Sequence, residues 1–469
     1  MFSALNHYID VLSTLPLPLV GLTACGLACV FPLTLLLSVE SLIGMGILLS
    51  PFDSYKIGPF AASNVVFLIA IAKALVRSRS STSALFPLAA FGLMSVSATL
   101  FAAYPSISLK MTISLLGEIG LFYAVTTLSR EAAIERLLHF VIGGGLLASC
   151  FAAVQFGAYE FLGVSLWQLG GLEVPLFHIA NVVRLSSILP SSESLASFMV
   201  FPLAAVGFYR ENTPPGSRHR WLTFLFWLFL AVSIGSGSRS AYVTCGILLV
   251  VIYGGRLRRR IKRLYPLFIA FAIVLAFTLA LPTASAVANW NGESTYTRLC
   301  LIKGALATFA QRPLQGWGWQ YTFQPEIINN TWITSFISIP SQTPADFQSK
   351  RGSHDIFLDV LVDTGILGFG SWIWLLATTL HTGLRAKAMA LSRGDVHLVW
   401  QTRCLVTAIC LNLLDGAVSG IMGLKYLWLA MGMIWLAYKL VRKPHHQPAI
   451  AGQTPWPYIT AALGHEEVG

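Results

Sequence analysis

Apolar runs of near-membrane length recur along the whole chain, separated by short polar connections. They fall at 14–37, 59–77, 82–103, 109–128, 136–158, 191–209, 221–237, 240–255, 264–282, 355–379, 396–416 and 425–441. A spanning α-helix needs roughly 20 mainly apolar residues, so the pattern predicts an all-α polytopic membrane bundle of about 12 transmembrane helices. The run 41–50 is too short to span and is expected to re-enter the membrane or lie at its interface. No internal repeat and no broken span stands out.

The polar connections alternate in character. Arg77 and Arg79, Arg130 and Arg136, Arg210, Arg218 and Arg220, the stretch "RLRRRIKR" at 256–263, Arg385, Lys387 and Arg393, and Arg442 with Lys443 all fall on every second connection. Lys and Arg are retained on the cytoplasmic side of a membrane, so these connections are predicted to be cytoplasmic, with both termini inside. Most connections on the other side are tight, with exceptions at 159–190 and 283–354. Loops of such length inside a compact protein are usually functional. The transmembrane domain is thus expected over 1–443, with a long, partly helical outer loop at about 283–354 and a cytoplasmic tail over 444–469.

Composition agrees with this class. Hydrophobic residues make up 55% of the 469, and charged residues only 11%, against about 25% charged in a typical soluble domain. The net charge of +11 does not point to nucleic acid, because the basic residues are spread between the apolar runs. The seven cysteines form no zinc or redox spacing and read as packing residues. The glycine-rich pieces, "GGG" at 143–145 and the turn at 317–318, resemble no nucleotide-binding loop.

Against so few charges, the outward side is conspicuous. Arg184, Arg239, Arg298, Arg312 and Arg351 all fall there, away from the basic clusters. Arg239 lies in "SIGSGSRSAYV", a minimal turn between two spans. It either anchors that turn at the interface or binds an anion, with Gly and Ser neighbours that let a ligand approach the backbone. Arg298 opens an amphipathic stretch over 298–310, followed by a Pro-Leu-x-Gly-x-Gly turn; Arg312, just before Pro313, is more exposed. "RGSHDIFLDVLVDTGILGFG" (351–370) closes the long loop and starts a span. Asp355, Asp359 and Asp363 follow His354 at steps of four, which places them on one helix face. At 1.5 Å per residue Asp363 lies about 12 Å along the axis from Asp355, and ionisable groups at such depth face a cavity or a partner. His354 beside these acids is a candidate general base. His354, Asp355 and Asp359 are also conceivable metal ligands, but no Asp-x-Asp pair and no second placed His accompany them, so no metal is expected.

Three stretches carry a family resemblance that extends in topology over most of the chain. "SGSRSAYV", "TRLCLIKGALATFAQRPLQGWGWQY" and "HDIFLDVLVDTGILG" resemble the motifs of the O-antigen ligase and O-antigen polymerase superfamily, membrane proteins of bacterial envelope glycan assembly. His354, Leu358, Gly365 and Gly368 match the last motif in register. The Asn expected after the His is Asp355 here, the usual Trp of the second motif is Ile302, and the segment around Arg184 matches only loosely.

The resemblance implies an inverting, metal-independent glycosyltransferase without a cofactor in the inner membrane. It would move a glycan from undecaprenyl diphosphate to an acceptor hydroxyl at the periplasmic face. His354 and Arg239 are then the catalytic candidates. Arg184, Arg239 and Arg298 are the diphosphate-binding candidates, supported near His354 by Asp355 and Asp359. The acceptor is a lipid A core for a ligase, the leading expectation given the single long loop before His354, or a further glycan repeat for a polymerase. A transporter of the same lipid-linked glycan is the rival from another class; it would be expected to show repeats and broken helices.

Overall fold

In the computed structural model the described residues are 37–53, 56–57, 60–77, 85–130, 132–162, 173–176, 180–183, 185–189, 191–260, 302–319, 355–419 and 424–442. They form a helical bundle: α1 (Val39–Leu49), α2 (Ala62–Arg77), α3 (Leu85–Leu100), α4 (Pro105–Thr127), α5 (Ala133–Leu162), α6 (Ser192–Glu211), α7 (Ser217–Gly235), α8 (Arg239–Arg260), α9 (Ile356–Ser392), α10 (Val396–Ser419) and α11 (Leu424–Arg442). A further helix covers 302–311. Two antiparallel hairpins sit in connections, one pairing Lys56 with Ala61 and Ile57 with Phe60, the other running from the Glu173–Val183 pair to the Leu176–Ala180 pair. Hydropathy runs did not anticipate either hairpin.

Among the described residues five helices are long and apolar enough to cross a membrane: Pro105–Thr127, Ala133–Phe161, Ser192–Glu211, Ile356–Ser392 and Val396–Ala417. This is an integral membrane protein. The expected runs at 14–37 and 264–282 lie outside the described residues, as do the tail over 444–469 and most of the loop over 283–354.

Several described helix ends that border the basic clusters lie together at one end of the bundle. Lys439 near the end of α11 donates to Thr126 O and Leu128 O at the end of α4, at 3.1 and 3.3 Å. Tyr209 near the end of α6 meets His139 of α5 and Trp400 of α10, with ring centroids 5.1 and 4.5 Å apart. Arg403 lies over the Phe208 ring at 5.7 Å. Among the described residues, the ends of α4, α6 and α11 and the starts of α5 and α10 thus share one end of the bundle.

One expectation is corrected. The run 41–50 is not interfacial. α1 starts at the basic end, where Glu40 pairs with Arg136 at 3.4 Å and Lys73 donates to Leu37 O at 2.6 Å. After a 3-10 turn at Ser50–Phe52 it finishes at the opposite end, where Asp53 pairs with Lys425 at 2.6 Å. It runs antiparallel to α2 along nearly the whole of that helix. Leu42, Ile43 and Ile47 are fully buried. A helix sheathed by protein does not have to meet the length that lipid imposes. Its glycines allow the close fit: a Cβ on Gly44 would fall 2.3 Å from the Phe140 ring, and one on Gly46 would fall 2.3 Å from Phe67. The "GGG" of α5 has the same use. A Cβ on Gly145 would meet Pro202 of α6 at 2.5 Å, and Gly143 and Gly144 abut Leu48 and Ile47 of α1.

Candidate functional site

At the end opposite the basic clusters, α9 is broken. Gly365 has φ 68° and ψ −176°, a conformation open essentially to glycine alone. An unbroken helix would join Ile366 N to Val362 O. Instead the turn at 312–318 enters the gap. Ile366 N donates to Pro313 O at 2.8 Å, Trp317 N to Val362 O at 3.1 Å, and Gly318 N to Asp363 O at 2.9 Å. Backbone groups that lipid could not satisfy are thus paired by another backbone segment. The approach leaves no room for side chains. A Cβ on Gly316 (φ 71°) would fall 2.5 Å from Asp363 O, and one on Gly365 would fall 2.4 Å from Leu314 O. The expectation of unbroken spans is corrected here, because the break shows only once a segment from some fifty residues upstream fills it.

The turn is held on its other side as well. Trp317 Nε1 donates to Thr308 O of the 302–311 helix at 2.8 Å. Ala103 N donates to Trp317 O at 3.0 Å, and Trp319 N to Ser108 Oγ at 2.9 Å, so the turn also ties down the α3–α4 connection. Arg312 stacks its guanidinium 4.1 Å from the Trp317 ring centroid and donates to Phe101 O at 3.3 Å. Arg312 is a fastener of this turn.

The acids behave in two ways. Asp355 caps α9: its carboxylate accepts from Phe357 N at 2.8 Å and Leu358 N at 3.3 Å. Half-burial pushes its carboxyl above the usual carboxylate range, against the pull of those two donors. Asp359 and Asp363 are buried in the bundle, in line with a ladder that faces protein rather than lipid. Ile356 packs at the position of Gly416 in α10. Next to it the buried Asp415 accepts from Ser197 Oγ of α6. The sequence reading missed Asp415, although a lone Asp inside an apolar run was signal enough.

A second strand of the same end is the turn between α7 and α8. Gly237 (φ 63°) lets the chain reverse, Ser236 Oγ donates to Ser233 O at 2.6 Å, and the Ser238 and Ser240 hydroxyls are 2.8 Å apart. α8 begins at Arg239. Leu185 N, from the segment that follows Arg184, donates to Gly235 O of this turn at 3.0 Å.

Residues 224–373 match the family model described as O-Antigen ligase. That stretch is similar to the O-antigen ligase family. No curated protein matches the chain. The match covers about a third of the sequence, from within α7 to just past the break in α9. It therefore includes the Arg239 turn, the turn at 312–318 and the first part of α9. Of the residues that the sequence singled out, the fold brings Asp355 and Asp359 to the start of α9 and sets Arg239 at the start of α8. The Arg239 side chain, and the residues Arg184, Arg298, Arg351 and His354, lie outside what the structure describes. Among the described residues no group of three His, Cys, Asp or Glu comes together that could hold a metal ion.

Proposed function

We propose that this protein transfers a glycan from undecaprenyl diphosphate to an acceptor hydroxyl, at the membrane face opposite its basic clusters. By the retention of Lys and Arg on the cytoplasmic side, that face is the periplasmic face of the inner membrane. The acceptor oxygen attacks the anomeric carbon from the side opposite the diphosphate, the carbon–oxygen bond to the diphosphate breaks, and the configuration inverts. His354 takes the proton of the acceptor hydroxyl. Arg239, with Arg184 and Arg298, holds the charge that develops on the leaving diphosphate. Asp355 fixes the backbone that follows His354 by capping α9, a task an Asn performs equally well. The Asp in place of the family's Asn is thus a conservative change.

What carries this reading is the position of two distinctive stretches within the matched region. The turn at 312–318 and the start of α9 are bonded backbone to backbone at the end away from the basic clusters. The break in α9 is also a device found in transporters, where unwound carbonyls coordinate cargo. Here Val362 O and Asp363 O already accept from the turn, which favours a fixed scaffold over a transport site. Ligation to a lipid A core is our leading reaction, with repeat-unit polymerisation the alternative.

The test is incubation of the purified full chain with lipid-diphosphate-linked glycan and either lipid A core or further repeat units. Glycan joined to the core is the expected product, whereas lengthened glycan with repeat units alone assigns the polymerase. Donor left intact with both acceptors overturns the transferase, and movement of intact donor across a vesicle bilayer would assign the transporter.

A further inference from the structure

The segment at 185–189 holds a strained, fully buried serine. Ser187 has φ 57°, the one non-glycine residue with positive φ among the described residues, and both Ser186 and Ser187 are completely inaccessible. Left-handed backbone is disfavoured for a residue with a Cβ, and it persists where surrounding structure over-determines it. Gln155 of α5 does so. Its Oε1 accepts from Ser186 N at 3.0 Å and Ser187 N at 2.9 Å, and its Nε2 donates to Ser186 Oγ at 3.1 Å. Ser187 Oγ adds a bond to Ala148 O at 2.8 Å. The segment so fixed reaches onward: Leu185 N donates to Gly235 O at 3.0 Å, and a Cβ on Gly235 would fall 2.8 Å from the Leu185 side chain. Gly235 closes α7, and the turn that follows it opens α8 at Arg239.

We infer that Gln155 is a positioning residue for the transfer reaction: it clamps residues 185–187, which in turn set the α7–α8 turn that presents Arg239. This rests on the transferase reading above. Gln155 acts through the two buried amides from which its Oε1 accepts. Two adjacent amides turned onto one acceptor specify the path of the chain more tightly than apolar packing does, and a diphosphate clamp needs that precision. A misplacement of about 1 Å at such a site costs on the order of 100-fold in rate.

The experiment compares Gln155→Met, which keeps the unbranched length and removes both polar groups, with Gln155→Glu, which keeps an oxygen for the two amides. Steady-state transfer and peptide-resolved hydrogen exchange are measured on each purified full-length variant. Gln155→Met is expected to lower kcat roughly 10- to 100-fold with little change in donor KM, and to speed exchange at 185–187 while the core of α5 stays protected. Gln155→Glu is expected to restore slow exchange and most of kcat. Wild-type kcat in Gln155→Met, a rise in KM alone, or equal loss in both variants in step with their thermal stability would each overturn the positioning role. A wild-type protein that transfers nothing overturns the transferase reading and this role with it, while unchanged exchange in Gln155→Met overturns the clamp itself.

Discussion

Replacing Gly365 by Ala puts a methyl group where the structure has backbone. The new Cβ would lie 2.4 Å from Leu314 O, 2.5 Å from Leu314 C and 2.7 Å from Gln315 N. None of these atoms is the movable end of a side chain, so either the turn leaves the break or α9 changes its path. The conformation of Gly365 alone costs any other residue about 1–3 kcal/mol. Expelling the turn also forfeits three backbone hydrogen bonds, to Val362 O, to Asp363 O and from Ile366 N. At about 0.5–1.5 kcal/mol each they are together worth roughly 1.5–4.5 kcal/mol, and more where no water can replace them. The total of roughly 2.5–7.5 kcal/mol is a large share of the whole stability of a typical fold, about 5–15 kcal/mol. The control is Gly370→Ala, four residues beyond the turn-bearing segment on the same helix, where a Cβ meets nothing within 4 Å. There alanine should gain up to about 1 kcal/mol of helix propensity. Thermal unfolding of both variants in one detergent, followed by tryptophan fluorescence, makes the comparison, since Trp317 sits in the interlock. Gly365→Ala should unfold well below wild type and Gly370→Ala at or above it. Equal midpoints for the two would refute the interlock as described.

Asp355→Asn should leave stability and transfer near wild type, whereas Asp355→Ala should cost about 1 kcal/mol through the lost cap, read as a lower unfolding midpoint. His354→Ala should abolish transfer at normal membrane abundance, and near wild-type transfer by that variant would remove the general-base role. Transfer should persist in excess chelator; loss that a divalent cation restores would revive a metal site around Asp355 and Asp359. Arg239→Lys keeps the charge but not the planar fork. It should lose one charge-assisted contact, about 1.5–3 kcal/mol, or about 10- to 150-fold in kcat/KM; full activity in both the Lys and Ala variants would sink the clamp.

Hydropathy by itself placed α2 to α8, the start of α9, and α10 and α11 to within about five residues, because burial in lipid or in a lipid-covered bundle imposes an apolar composition that each helix must carry locally. α9 runs on to Ser392, well past the expected end at 379. The Lys and Arg alternation likewise grouped the described ends of α4, α6 and α11 with the starts of α5 and α10, since charge at a connection is also a local property. The motif residues Pro313, Gly316, Gly318 and Gly365 could be picked out in the one-dimensional chain, and so could Asp355 and Asp359. That these stretches bond to one another, and that α9 is broken where they meet, could not. The bonds join residues about fifty apart, and no local period records them. The same holds for α1, whose short apolar run reads as interfacial until α2 and α5 are seen to enclose it. It holds too for Gln155, a polar residue in an apolar helix whose meaning lies in two amides some thirty positions away. Local composition decides which segments become helices, but only packing decides which backbone groups remain for another segment to satisfy.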